Sequence, residues 1–464
     1  MTQENLSFIE RNAVLIKVTA ISFLSLLLLI PMAMIMSLVS ERQSRQTEAT
    51  TEISSKWGFQ QRLTGPILTV PYETYDLDKD NKRVNIDRHM AYFLPENLNV
   101  TGEMNPEIRK RGIFEVAVYS SSLKVDGVFK APQLDISDRH YEVKWADAFI
   151  TIGISDLRGI KEDIKFKWND AEMVCEPGVK IVRKTQSRVN EMYYDSGERK
   201  EIMIESGVTI NKPLKEESLA KEYRFSFGLS LNGSKSISFV PIGKETIVKL
   251  TSAWPNPSFD GSFLPENRNV SSRGFTADWK VLELNRNFPQ KWNDTEIEFQ
   301  SSAFGVSLLL PIETYQITER SMKYAILFIV LTFTVFFFVE IMRKLKVHPI
   351  QYVLVGFSLC LFYLLLLSLS EQIGFGIAYL VASAGIVIMI ASYSKSIFHN
   401  NRLTLILSSI LVLLYGFLYI LIQMQDFALL MGSVGLFIIL ASVMYLSRKI
   451  DWYSIGGKTK DGVE

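Results

Sequence analysis

The chain reads as an α+β membrane protein with six transmembrane helices and a large, internally duplicated β-rich external domain. Two observations predict this. Six apolar runs, Val18–Val39, Tyr324–Ile341, Tyr352–Leu369, Gly374–Ser394, Leu403–Ile422 and Phe427–Leu446, each approach the roughly 20 residues that a helix needs to cross a hydrocarbon core about 30 Å thick. A polar stretch of about 280 residues separates the first run from the other five, enough to bury a core of its own. In lipid a backbone must satisfy its own hydrogen bonds, so runs of this length are helices.

The basic residues beside the runs orient them. Arg11 and Lys17 precede the first, Arg343, Lys344 and Lys346 follow the second, Lys395 and Arg402 flank the fourth and fifth, and Arg448 and Lys449 follow the sixth. The other short connections carry only Glu371 and Asp426. Positive loops stay cytoplasmic. The expected order is a cytoplasmic segment 1–17, a first helix 18–39, an external domain 40–323, helices over 324–446 and a cytoplasmic tail 447–464. The first run is too long for a signal-peptide core and lacks a small-residue cleavage site, so it reads as an uncleaved anchor. Pro31 within it is compatible with a kinked span.

Charged residues are 21% of the chain and concentrate in the external domain, where acidic and basic residues nearly balance. That balance argues against nucleic acid as a partner. The lipid bilayer is the one partner the sequence names, and oligomeric state stays open. Of the two cysteines, Cys175 is external and Cys360 lies in a span, so no disulfide scaffold is expected.

The external domain reads as strands. Ile67–Val70, Glu115–Tyr119, Phe149–Ile154, Tyr223–Leu231, Ser236–Val240 and Val306–Leu310 are rich in β-branched or aromatic residues and bounded by Gly, Pro, Asn or Asp. Glu41–Gln61 reads as a helical stalk continuing the first span. The domain also echoes itself. Phe93, Pro95, Glu96 and Asn97 recur as Phe263, Pro265, Glu266 and Asn267 at an offset of 170, and Ile67, Val70 and Pro71 match Ile237, Val240 and Pro241 at the same offset. Two homologous halves, near 62–160 and 221–320, are the expected result, with the polar stretch Lys161–Ala220 bridging or decorating them. Each Phe-Leu-Pro-Glu-Asn copy is either half of a paired binding site or a turn, the commoner role of Pro and Asn at a strand end. A second echo, Pro71-Tyr-Glu-Thr-Tyr75 and Pro311-Ile-Glu-Thr-Tyr315, does not keep that offset.

Catalytic chemistry is thin. The four histidines are scattered, and there is no H-E-x-x-H, C-x-x-C, EF-hand, G-x-S-x-G or Walker A pattern, so no metal, cofactor or catalytic residue is expected. Asp156 and Arg158 follow a predicted strand, where an Asp can be catalytic or, more commonly, closes a turn with its Arg. Trp254-Pro-Asn-Pro suits a rigid recognition loop or a Trp buried under a stiff turn. The only acidic candidates for an ion path are Glu340 and Glu371, both at span ends. That weakens a proton-coupled transporter.

Several stretches resemble the CreD inner-membrane proteins, described as cell envelope integrity proteins: Asp156-Leu-Arg-Gly-Ile160, Trp254–Pro265, Gln316–Glu340, His348-Pro-Ile-Gln-Tyr352, Tyr363–Glu371 and Ile450–Tyr453. The resemblance runs from about Leu15 to Tyr453. It implies an inner membrane of a Gram-negative bacterium, a periplasmic location for the β-rich domain, and a link to envelope stress, β-lactam response and colicin tolerance. It brings no catalytic residues. The function expected is a non-enzymatic envelope protein whose periplasmic domain binds an envelope component or partner. The rivals are a transporter or lipid flippase gated by that domain, and an envelope-remodelling enzyme.

Overall fold

A computed structural model describes residues 13–136, 139–180, 204, 206–214, 221–294, 297–310, 314–343, 347–424 and 427–448. The chain divides into two compact units, Met1–Thr47 with Ile312–Glu464, and Glu48–Pro311.

The first unit is helical. Helix α1 (Ala13–Leu27) and helix α2 (Leu29–Trp57) are separated by a break at Leu28. Pro31 explains it: without an N–H, it cannot bond the Leu27 carbonyl one turn back. The expected stalk is the polar part of α2, but the helix stops at Trp57 rather than Gln61. Gly58 follows with φ +131°, and an added Cβ would lie 2.7 Å from the Asn232 carbonyl oxygen. A short helix α3 (Thr314–Lys323) then precedes α4 (Ala325–Arg343), α5 (Pro349–Ile373), α6 (Phe375–Phe398), α7 (Asn401–Gln423) and α8 (Ala428–Ser447). Among the described residues, five helices are long and apolar enough to cross a membrane: the N-terminal one from Leu15, and α4 to α7. The expected sixth span coincides with α8, whose apolar stretch Leu429–Tyr445 is shorter. Helix α5 is central, packing against α1, α3, α4 and α6.

Helix α3 corrects the expectation that β structure extends to residue 320. Tyr315, Thr318, Ser321 and Met322 are buried on one side, while Lys323 points out and pairs with Glu319 at 3.2 Å, one turn away. That spacing is helical.

The second unit is built on β-strands: β1 (Gln61–Leu77), β2 (Arg83–Phe93), β3 (Asn97–Arg111), β4 (Phe114–Lys130), β5 (His140–Val143), β6 (Phe149–Ile154), β7 (Phe166–Trp168), β8 (Ala171–Met173) and β9 (Glu176–Pro177). There follow β10 (Gly207–Asn211), β11 (Glu222–Ser234), β12 (Ser236–Phe239), β13 (Glu245–Ser252), β14 (Pro257–Gly261), β15 (Asn267–Ser271), β16 (Gly274–Leu282), β17 (Lys291–Asn293) and β18 (Phe304–Leu308). One sheet runs β14-β18-β12-β1-β6-β10-β9, with β2 and β5 also on β1 and β17 on β2. The other runs β15-β16-β13-β3-β4-β11-β7-β8. Inward residues of both form one core, including Ile67, Ile150, Phe239 and Val306 from the first sheet and Val125, Phe225, Val248 and Trp279 from the second. The chain passes between sheets from β11 to β12 through Lys235, which adopts a left-handed φ of +63°.

The expected stretch Lys161–Ala220 is in part woven into these sheets. Strands β7 and β8 extend the second sheet beyond β11, and β10 pairs with β6 in the first. Residues 181–203 of that stretch, the echo residues Pro311 to Glu313 and the motif Ile450–Tyr453 lie outside the described residues.

Internal duplication is not shown. The hairpins β3–β4 and β15–β16 do correspond, with Glu96 N–H bonded to Val128 O and Glu266 N–H to Asp278 O just before each ladder begins. Their neighbours differ. Strand β3 continues into the sheet through a parallel pairing with β13, whereas β15 is an edge; β2 pairs with β1, whereas β14 pairs with β18.

Candidate functional site

The sequence motifs become polar joints. In the β unit the Asp156 carboxylate accepts the Phe59 N–H at 2.9 Å and the Arg158 N–H at 3.1 Å, and receives both arms of the Arg158 guanidinium at 2.9 and 3.0 Å. Burial works to raise its pKa, but the bonds from Arg158 and the two backbone N–H groups outweigh burial and hold the carboxyl below its ordinary value. Arg158 also donates to Ser55 O at 3.1 Å and lies over the Phe59 ring. Gly159 is required here, since an added Cβ would sit 2.2 Å from the Asn232 carbonyl oxygen. Gln61 completes the joint, its amide donating to Asp156 O and Asn232 O. Asp-Leu-Arg-Gly therefore ties the end of α2 to β6, β1 and β11.

Trp254 is 7% exposed, and its indole N–H lies 3.0 Å from Asn256 O and 3.2 Å from Leu309 O. Phe263 is half-buried, accepts the Trp279 indole N–H on its carbonyl and meets Phe304 edge-on. Phe93 is buried, and the Pro95 carbonyl accepts from Lys244 N–H and the Gln290 amide. Glu96 pairs with Lys130 at 2.9 Å. Asn97 opens β3 and Asn267 opens β15, both exposed; Pro265 is half-buried and Glu266 exposed. Among the described residues no hydrogen bond or ion pair joins the two copies, so the structure does not gather them into one site. Cys175 donates to Ile164 O at 3.3 Å, and burial pushes its thiol up to about 11.

In the helical unit, Glu371 accepts the Tyr315 hydroxyl at 2.9 Å and faces Arg42 at 3.7 Å. Glu340 is 2% exposed, pairs with Lys17, and accepts the Tyr352 hydroxyl at 2.9 Å and the Val347 N–H at 3.1 Å. His348-Pro-Ile-Gln-Tyr352 is thus a helix start: the His348 ring caps Ile350 N–H, Gln351 reaches back to His348 N–H, Pro349 fills the first turn and Tyr352 anchors Glu340. A groove of about 600 Å³ opens between α6 and α7, lined by Tyr379, Ser383, Tyr415, Gly416 and Tyr419, and neither Glu340 nor Glu371 lines it.

One constellation has no local sequence signal. His89 Nε2 lies 2.9 Å from the Thr74 hydroxyl, and His89 Nδ1 contacts Asp294, whose other oxygen accepts the Met90 N–H at 2.9 Å. The His89 ring stacks on Tyr72. These residues stand 15 and 205 positions apart, so only strand pairing of β1, β2 and β17 unites them. Among the described residues, no group of three or more His, Cys, Asp or Glu side chains could hold a metal ion.

A family model described as "Inner membrane protein CreD" matches residues 13–453. The chain belongs to the CreD family. It is 34% identical over 444 residues to the inner membrane protein CreD of Escherichia coli (strain K12), covering 94% of this chain and 93% of that relative. CreD is not a known enzyme family.

Proposed function

We propose that this chain is a non-enzymatic inner-membrane protein of the bacterial envelope, with six spans and both termini in the cytoplasm. Its β unit would stand in the periplasm and engage an envelope component, contributing to envelope integrity and the envelope-stress response. The observation that carries this is the insertion of a complete β unit, 48–311, between apolar helices in a chain of the CreD family. The basic residues beside the helices support the orientation. Reporter fusions after Thr50 and Lys346 are expected to report opposite sides of the membrane, and crosslinkers on exposed β-unit positions to capture an envelope component in intact cells. A periplasmic signal at Lys346, or capture only of cytoplasmic molecules, would sink the reading.

Thr74, His89 and Asp294 favour a second reading, an envelope-remodelling hydrolase. In it His89 would take the Thr74 proton while Asp294 fixes the imidazole. Thr74 is only 7% exposed, which favours a structural link. His89→Gln is therefore expected to leave the envelope phenotype near wild type when normalised to membrane abundance. A variant as abundant as wild type yet as inactive as a deletion would put the hydrolase first.

A further inference from the structure

The outward face of β4 and β11 carries a feature the fold does not require. Their cross-strand pairs there are Ser122 with Ser230, Lys124 with Gly228, and Asp126 with Ser226. Glycine weakens a strand interior and often marks close approach by a ligand or another backbone. Elsewhere in these sheets crowding explains it: an added Cβ would lie 2.4 Å from Leu123 at Gly102, 2.1 Å from Asn97 O at Gly127 and 2.3 Å from the Tyr119 hydroxyl at Gly233. At Gly228 a Cβ would meet nothing within 4 Å, and its φ is not in the left-handed region. Neither packing nor backbone conformation calls for glycine at that point.

Gly228 forms the floor of an open groove of about 950 Å³. One wall is the segment Ile160–Lys165, held along β11 by the Ile160–Leu231 bridge and by Lys161 N–H bonding Ser230 O at 3.0 Å. Four lysines, Lys124, Lys161, Lys165 and Lys167, line it against two acids, Glu162 and Asp163. Among the described residues no carboxylate lies within ion-pair distance of any of the four, whereas Lys130, Lys144, Lys280 and Lys291 of the same unit are all paired. Asp126, on the floor's rim, is engaged by the Asn99 amide at 3.0 Å.

We infer that this groove binds an extended, carboxylate-bearing glycan strand, an inference that rests on the proposed envelope-binding role and names the ligand class. The net positive rim suits acidic groups. Ser122, Ser226 and Ser230 offer hydroxyls to sugar hydroxyls, and the bare Gly228 lets one face of a pyranose ring lie close to the sheet. A peptide added as a strand needs an unpaired backbone edge. The outer edge of β11 is taken by β7 at Phe225–Ser226 and by Lys161 N–H at Ser230, so the stretch between them is too short to seat an added strand. A lipid chain needs apolar lining, but Leu123, Phe227 and Leu229 turn into the core. The chain's own segment 181–203 has five basic and four acidic residues and so offers no acidic tether.

The test uses the full chain in nanodiscs and soluble, uncross-linked peptidoglycan strands as the probe. Binding is expected to fall about tenfold or more in Gly228→Trp, and likewise in Lys124→Gln/Lys167→Gln, with a shallower salt dependence in the lysine variant. The lysines are exposed, so that variant keeps the test decisive should Gly228→Trp fail to accumulate. Amidating the strand carboxyls should abolish the difference between wild type and the lysine variant. Strands that bind wild type and both variants equally would overturn the inference, as would a wild-type chain that ignores strands but binds phosphatidylglycerol vesicles or polyglutamate. If strand binding fails while β-unit crosslinkers still capture an envelope component, the glycan site is wrong and the broader role stands.

Discussion

Trp254→Ala is expected to remove most of the protein from the membrane fraction. Truncating a buried aromatic to Ala costs about 3–5 kcal/mol, against the roughly 5–15 kcal/mol that holds a typical domain folded. Trp254 follows β13, and its indole N–H spans two carbonyls, Asn256 O in its own turn and Leu309 O just beyond β18. Removing the ring opens a cavity and leaves both acceptors without that donor. Trp254→Phe keeps most of the volume and loses only the N–H, so it should accumulate to an intermediate level. The measurement is membrane abundance beside envelope phenotype. An abundant but inactive Trp254→Ala would show that the Trp-Pro-Asn-Pro loop recognises a partner.

What the sequence disclosed and what it hid differ in physical kind. The apolar runs were legible because length and hydropathy are local: the last five each coincide with a helix to within a few residues, while the first crosses the break between α1 and α2. Strand β6 was legible at both ends, since Phe149–Ile154 is rich in β-branched and aromatic residues and buried on both faces. Strand β1 was not: it runs for 17 residues through Gly65, Pro66 and Pro71, and pairing with β2, β5, β6 and β12 overrides their poor propensity. Helix α3 was missed because its ten residues fall short of the window of about 11–18 residues over which a helical period is read. Among site residues, Asp156 and Arg158 were legible as a pair, but their partners Phe59 and Ser55 lie about a hundred positions away. Gly228 carried no signal at all. Its meaning emerges only when every other strand glycine can be seen to be crowded.

Asp156→Ala is expected to destabilise the β unit by about 1–3 kcal/mol, because it removes the acceptor from two part-buried N–H donors, Phe59 and Arg158, each bond contributing roughly 0.5–1.5 kcal/mol. Little of that cost comes from the ion pair itself, because the Arg158 side chain is 55% exposed and solvent screens it. Asp156→Asn keeps an acceptor oxygen and should cost less. Protonation gives the same carboxyl a pH signature. Its folded-state pKa lies below the unfolded value of about 3.9. The stability it contributes is therefore full above that value and lost as pH falls through the folded pKa. Chemical denaturation of the chain in nanodiscs at pH 7 and near pH 3 should show a smaller acid loss in Asp156→Asn than in wild type. At neutral pH both variants should keep an envelope phenotype proportional to their abundance, since the joint orders backbone and touches no reacting group. An Asp156→Asn protein that is stable, abundant and inactive would make this carboxylate a functional group, and the structural account of the Asp-Leu-Arg-Gly motif would fail.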